Sequence, residues 1–207
     1  MTTTATPPLS QKLKDGTWDL HSQAEKQPFQ QNLVKGQVSR DAYGGWLVQM
    51  LLVHSALEKR LRTLCESDPR VAAVVSDEQY QEPYLLADLA ALGYTRPATA
   101  LESTARLIET IENAAPLRLL GHHYVLEGSN NGNAFIARAV RPALRLEAGS
   151  GDRYLDPYGE RQRAVWGAFK TAIDEQAFTE DEQTAMVEAA REMFAGISAL
   201  SAELPSD

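Results

Sequence analysis

Four histidines, His21, His54, His122 and His123, are the side chains best suited to bind a metal or move a proton near neutral pH. His21 precedes Glu25 by one helical turn. At that spacing Glu25 can accept the proton of the ring nitrogen that faces away from a metal, which fixes the tautomer and orients the ring. His54 with Glu58 and His123 with Glu127 repeat the spacing, each pair presenting a nitrogen and an oxygen on one helical face. That donor type would suit a di-iron oxidase. The usual bundle arrangement, however, takes Glu-x-x-His from two helices, and no Glu-x-x-His occurs in this chain.

The second chemical feature is a stretch, Gly121 to Ile136, reading GHHYVLEGSNNGNAFI. Leu117, Leu120, Tyr124 and Val125, then Phe135, Ile136, Ala139 and Val140, keep apolar side chains on a helical face. The centre contradicts that pattern. Gly128, Asn130, Asn131, Gly132 and Asn133 are poor helix formers and forgo roughly 2–3 kcal/mol of local propensity. One reading ends a helix at Gly128 and starts another after an asparagine N-cap. The other continues the helix with a bend, so that missing Cβ atoms let a large flat ligand lie against the backbone. Both need the same residue types. A flat iron porphyrin, gripped by one imidazole from the first helix, would need such a nearly side-chain-free second wall. Its two propionates also need cations at the rim, and Lys14, near Thr17, is available. Arg163, Trp166, Phe169 and Lys170 are spaced three and four apart, as either a basic and aromatic edge or a plain amphipathic face.

Helices must position these groups. A helical pattern runs from Leu9 or Ser10 to Glu25 or Lys26, through Leu9, Leu13, Thr17, Leu20 and Ala24, and Pro28 breaks it. Gly36 reads as a turn and Ser39 as the N-cap of a long helix from Arg40 to Cys65. Its inward stripe is Trp46, Leu47, Met50, Leu51, His54, Leu57, Glu58 and Leu61. Residues 67–83 read as a connection with a brief helix at Pro69 to Val75, followed by helices at Tyr84 to Leu92 and Thr99 to Asn113. Pro116 starts the helix that carries the central stretch to about Leu146, with Pro142 kinking or shortening its end. Glu147 to Asp156 reads as a surface loop. Helices at Pro157 to Glu175 and Thr179 to Ala202 follow, the last with a capping box from Thr179 to Glu182. No segment alternates with period two, so the class is all-α, with residues 1–8 a mobile arm and 9–204 one domain.

The composition fits this. At 207 residues, 43% hydrophobic and 23% charged, the chain suits a single core. A net charge of −8 argues against nucleic acid as a partner. Cys65 is the one cysteine and forms no internal disulfide, which favours a reducing compartment. MTTTATPPLS lacks the basic and apolar regions of a signal peptide, and no apolar run approaches membrane length. The expectation is a cytoplasmic protein without a membrane partner, a monomer or weak dimer.

The run LKDGTWDLHSQAEKQPFQQNLVKGQVSRDAYGGWL resembles the first helices of the haem oxygenases, with His21 at the position of the axial ligand. The run YVLEGSNNGNAF resembles that family's distal helix, most of all in the small bacterial enzymes that release iron from haem. The similarity extends over roughly Leu9 to Leu146, and over the last two helices by pattern alone. It implies a helical bundle with haem sandwiched between the first, proximal helix and a Gly-kinked distal helix. It implies cleavage of haem by O2 and reducing electrons, from a ferredoxin or flavoprotein reductase, to biliverdin, CO and ferrous iron. Carried onto this chain, His21 is the metal ligand with Glu25 behind it, and Lys14 and Lys170 lie near the propionates, with Arg163 on the same edge. Tyr124 faces the pocket, and Gly128, Ser129, Asn130 and Gly132 form the distal wall, with Asn133 beside it. Mammalian members carry an aspartate just after the first distal glycine; Ser129 stands there, as in the bacterial type. Asn133 replaces the second small residue of the usual Gly-Gly or Gly-Ala pair, and Asn131 stands where an apolar residue is common. These asparagines would either add hydrogen bonds to bound O2 or crowd the porphyrin. A haem carrier that does not degrade its ligand would leave nearly the same sequence footprint.

Overall fold

A computed structural model describes residues 7–94 and 98–205. Most of the expected N-terminal arm lies outside the described residues; Pro7 and Pro8, at its end, are exposed. Among the described residues every regular element is helical: α1 (Leu9–Ala24), α2 (Pro28–Lys35), α3 (Arg40–Ser67), α4 (Pro69–Val74), α5 (Glu82–Ala91), α6 (Glu102–Asn113), α7 (Arg118–Leu144), α8 (Gln162–Asp174) and α9 (Glu180–Glu203). Short 3-10 turns at Asp77–Gln79 and Gly159–Arg161 precede α5 and α8.

The expected all-α class holds, and most boundaries fall within a few residues of the sequence reading. Two local differences have clear causes. Pro28 ends α1 but also opens α2, since proline is compatible with a first helical turn, and Phe29 and Leu33 then bury one face of that helix. The segment expected to be a surface loop at Glu147 to Asp156 is exposed throughout its first half but in its second only at Arg153; Asp152, Tyr154 and Leu155 are buried. The carboxylate of Asp88 on α5 accepts the backbone N–H groups of Gly151, Arg153 and Tyr154 at 2.7–3.1 Å, which draws this segment inward. The helix expected from Pro157 consequently begins only at Gln162.

The ambiguity at the central stretch is resolved: α7 is one helix through Gly128–Asn133, and Arg145 in the left-handed conformation (φ 54°) ends it beyond Pro142. Side chains compensate locally for the weak helix formers. Ser129 Oγ donates to the Leu126 carbonyl at 2.7 Å and Asn131 Nδ2 to the Gly128 carbonyl at 2.9 Å. These bonds stay within the helix instead of opening it.

α1 and α7 both rest on α9. Leu9, Leu13 and Thr17 form the buried face of α1. Its unpaired first-turn groups are met by Asp174, which accepts from the Ser10 N–H at 2.7 Å and from Ser10 Oγ at 2.6 Å. Gly16 lies against Val187 of α9, and Gly121 of α7 lies against the Met186 carbonyl, so close that a Cβ at 121 would overlap that oxygen. Alanine normally stabilises a helix relative to glycine by roughly 0.5–1 kcal/mol. Here Gly121→Ala is expected to do the opposite, costing about 1–3 kcal/mol through overpacking. The urea midpoint reads this, and an unchanged or higher midpoint would show that α7 and α9 are not in backbone contact.

Candidate active site

The chemistry-bearing residues of α1 and α7 face each other across a cleft of about 310 Å³, within the size range of small-molecule sites. α1 supplies Lys14, Thr17, Trp18 and His21, and α7 supplies Tyr124, Val125, Gly128, Ser129 and Asn131. Trp166 of α8 and Phe194 of α9 complete the lining. Its surface is mainly apolar, with Lys14 at an exposed position.

On the α1 side, the imidazole of His21 is exposed and held by aromatic contacts. The Trp18 indole stacks on it, 5.7 Å between centroids and 5° between planes, and Phe194 meets it edge-on at 5.7 Å. The expected Glu25 partnership is looser than a hydrogen bond. Glu25 Oε1 stands 3.8 Å from His21 Nδ1, both side chains are largely exposed, and Glu25 does not line the cleft. Ring orientation therefore comes from Trp18 and Phe194. Beneath them, Thr17 is buried and its hydroxyl donates to the Leu13 carbonyl at 2.7 Å.

On the α7 side, the wall is bare in part. A Cβ at Gly132 would meet nothing within 4 Å, whereas one at Gly128 would come within 3.2 Å of the Trp166 ring. Trp166 thus covers the wall at Gly128 and leaves it open one turn on. The indole stacks on Phe169 at 5.4 Å and tilts against Tyr124 at 5.4 Å. Burial pushes the Tyr124 hydroxyl up to about 12, so it stays protonated.

Other expected site residues stand outside the cleft. Asn130 points to the back of α7, where its Nδ2 donates to Glu127 Oε2 at 3.3 Å. Asn133 is buried and donates to Ser129 Oγ at 3.3 Å, so it supports the wall from behind. Arg163 is exposed and does not line the cleft. Lys170 lies one layer out, its Nζ 5.8 Å from the Trp166 ring centroid. The residue that helix geometry turns into the cleft is Asn131, at i+3 from Gly128, and not Asn130.

Sequence reasoning missed Trp18 and Phe194. Trp18 carried a signal, since it is three residues before His21 on the same helix face. Phe194 carried none, because it reaches the cleft from the last helix.

The other histidines serve the interior. His54 Nδ1 is 3.0 Å from Glu58 Oε1 and its Nε2 is 3.2 Å from the Tyr154 hydroxyl. Glu58 spends its remaining capacity on the backbone N–H groups of Gln81 and Glu82 at the start of α5. His123 faces Gln79, with Nε2 to Oε1 at 3.1 Å, and not Glu127. Burial lowers the pKa of both His122 and His123 to about 4, so both are neutral. Among the described residues no group of three or more His, Cys, Asp or Glu side chains converges on a possible metal position, so the di-iron donor set is not assembled.

A flat metallated macrocycle suits the residues present: one imidazole from α1, an α7 wall with glycine at 128, aromatic edges and an exposed lysine. The sequence model of the family described as Heme oxygenase matches residues 7–203. A heme oxygenase of Porphyra purpurea is 25% identical over 155 residues, covering 72% of this chain and 65% of that protein. Human heme oxygenase 1 is 27% identical over 148 residues, 67% of this chain and 50% of its own length. The matched segment thus spans between half and two thirds of these curated relatives. The solved heme oxygenase of Leptospira interrogans superposes with a TM-score of 0.88 at 22% identity, covering 96% of this chain and all of that one. Heme oxygenase-1 of Synechocystis sp. PCC6803, solved in complex with heme, superposes with a TM-score of 0.86 at 19% identity, covering 95% and 92%. With a family match running from before α1 to the end of α9, the chain belongs to the heme oxygenase family.

Proposed function

We propose that the cleft between α1 and α7 binds haem as substrate, and that the protein cleaves it with O2 and reducing electrons to biliverdin, CO and ferrous iron. The observation that carries this reading is the opposition, across one apolar cleft, of the His21 imidazole and the α7 face at Gly128 and Ser129, a face that Gly132 continues one turn on without a side chain. Family membership and the relatives' names support it.

His21, its ring held by Trp18 and Phe194, would hold the haem iron. Lys14 would meet a propionate, and Lys170 would add positive charge from beside Trp166. The bound haem supplies the iron at which O2 is activated. The role of α7 is to let the macrocycle approach its backbone at Gly132 and to present no acid that would divert the oxidant. Ser129 and Asn131 are the polar groups on that wall, and their side chains are already engaged with the Leu126 and Gly128 carbonyls. Neither is an acid, so the wall itself would supply no strong proton donor to a ligand in the cleft.

The electron donor is a ferredoxin or flavoprotein reductase, and the protein works as a monomer or weak dimer. No helix among the described residues is long and apolar enough to cross a membrane. The acidic composition and single cysteine support a cytoplasmic location.

Two variants test the two walls. His21 is exposed and makes no hydrogen bond shorter than 3.5 Å with Glu25, so His21→Ala should leave the thermal midpoint within a few degrees while abolishing the imidazole-ligated haem spectrum. A spectrum identical to wild type would remove His21 as the ligand. Gly132→Leu should do opposite things to stability and binding. The apo-protein should gain up to about 1 kcal/mol of helix propensity, because the space is empty. Haem affinity should fall at least about tenfold, or roughly 1.4 kcal/mol. Equal affinity in a folded variant would refute the wall. With wild type, single turnover with ascorbate should replace the Soret band by bilin absorption, whereas an intact Soret band would indicate a carrier.

A further inference from the structure

The back of α7 carries a polar cluster that this reaction scheme leaves unused. Glu127 is 2% exposed. Its Oε2 accepts from the Tyr158 hydroxyl at 2.8 Å and from Asn130 Nδ2 at 3.3 Å, while its Oε1 has no partner. The Tyr158 hydroxyl in turn accepts from Gln81 Nε2 at 3.3 Å, which ties α7 to the start of α5 and to the turn before α8. Two more buried oxygens of this cluster, Gln81 Oε1 and Asn130 Oδ1, also lack a donor. The cluster therefore holds three buried acceptors that nothing satisfies, and among the described residues no cation lies within ion-pair distance of Glu127. A carboxylate would leave all three oxygens unpaired. A proton on Glu127 Oε1 converts one acceptor into a donor and can serve a second.

The cluster also has an outlet. Tyr158 lines an open polar cavity of about 440 Å³ together with Arg141, Asp152 and Arg161. Its ring thus stands between that cavity and the buried carboxyl.

We propose that Glu127 is a proton-holding residue. Its carboxyl carries a proton in the folded protein and exchanges it with solvent by way of Tyr158, and its protonation state sets how α7 is held behind Gly128. It is a positioning residue of the wall, since it faces away from the cleft. Only its effect on haem rests on the function proposed above.

The groups that face it from each packed element are Tyr158 ahead of α8, Gln81 before α5, Glu78 in the first 3-10 turn, itself paired with Arg161 at 2.7 Å, and Asn130 on α7. His123, one turn back, is neutral and adds no charge. Burial, and then the Glu78 charge, push the Glu127 carboxyl up to about 7, while the Tyr158 and Asn130 hydrogen bonds oppose the rise. The sign of the linkage follows. The folded protein holds this proton more tightly than the unfolded chain, whose carboxyl titrates near 4.5, so the Glu127 contribution to stability declines as pH rises from there to about 7.

Infrared difference spectra of the haem-free protein test this directly. A protonated-carboxyl band should disappear with a midpoint near 7 and be missing in Glu127→Gln. The thermal midpoint of wild type should fall across the same range, and that of Glu127→Gln should lose this component. Tyr158→Phe removes a donor to the charged form and should move the band's midpoint to higher pH, which keeps the test open if Glu127→Gln does not fold. In the haem-loaded protein, turnover should lose its inflection near 7 in Glu127→Gln while keeping the imidazole-ligated spectrum. A wild-type carboxyl band identical to that of Glu127→Gln, with no titration above pH 5, would overturn the proposal. Because the first readouts need no haem, they fail or succeed independently of the cleft's ligand.

Discussion

The site depends on one close contact, where α9 touches α7 and α1 at consecutive residues. The Met186 carbonyl lies against Gly121, and the Val187 side chain presses on Gly16. Glycine at both places lets α7 meet the main chain of α9 and α1 meet a short branched side chain, which leaves little room for repacking. Charged groups flank the contact: Arg191 donates to the Gly16 carbonyl and pairs with Asp19, and Arg118 pairs with Glu188 and Glu192. These pairs are partly exposed and each adds only a fraction of a kcal/mol, so they orient more than they stabilise. Gly128 lies about 10 Å along α7 from Gly121, and Phe194 about 10 Å along α9 from Val187. Over so short a span a packed helix is stiff, so the spacing fixed at the contact reaches the cleft.

The same geometry explains why α7 tolerates its poor helix formers. A helix with two glycines and three asparagines has little reason to form alone. Here one side of it faces the cleft and the other is buried against the turn before α5 and the segment before α8. Asn130 and Asn133 belong to the buried side, with Glu127 and His123; Gly128, Ser129 and Asn131 belong to the cleft side, and Gly132 stands in open space one turn beyond Gly128. The asparagine-rich composition therefore answers two demands at once. Ser129 and Asn131 turn their polar atoms back onto the helix, which leaves the cleft wall low in free donors.

Much of this was legible in the residue order. Helical periodicity, the Ser39 cap and the Thr179–Glu182 capping box place α3, α7 and α9 within a few residues, because those signals are local. The facing of His21 by Gly128 and Ser129 was also legible, through residue types that contradict their own helix. Three things were not. The phase of α7 at the centre decides between Asn130 and Asn131, and one residue rotates a side chain by about 100°. Glu25 had the right spacing, but its distance depends on rotamers that solvent leaves free. Phe194 and Asp88 act across tertiary contacts, on His21 and on the buried segment at Gly151 to Tyr154, and no short-range pattern announces either.

The architecture alone does not carry the chemistry. One arrangement of helices can serve unrelated functions, so the fold by itself does not fix the use. What separates one use from another must lie in the cleft residues. In this chain those are an imidazole braced by two aromatic rings, the polar pair Ser129 and Asn131 on α7, and Trp166 over Gly128. Trp166 is the least expected of the three, because it occupies volume on the wall where the sequence suggested bare backbone. A macrocycle entering beside it is confined to the Gly132 end of α7 unless the indole turns away, and Phe169 and Tyr124 pack against two sides of that indole. Moving it would break both contacts, so the resting position of Trp166 defines which part of the wall a flat ligand first meets.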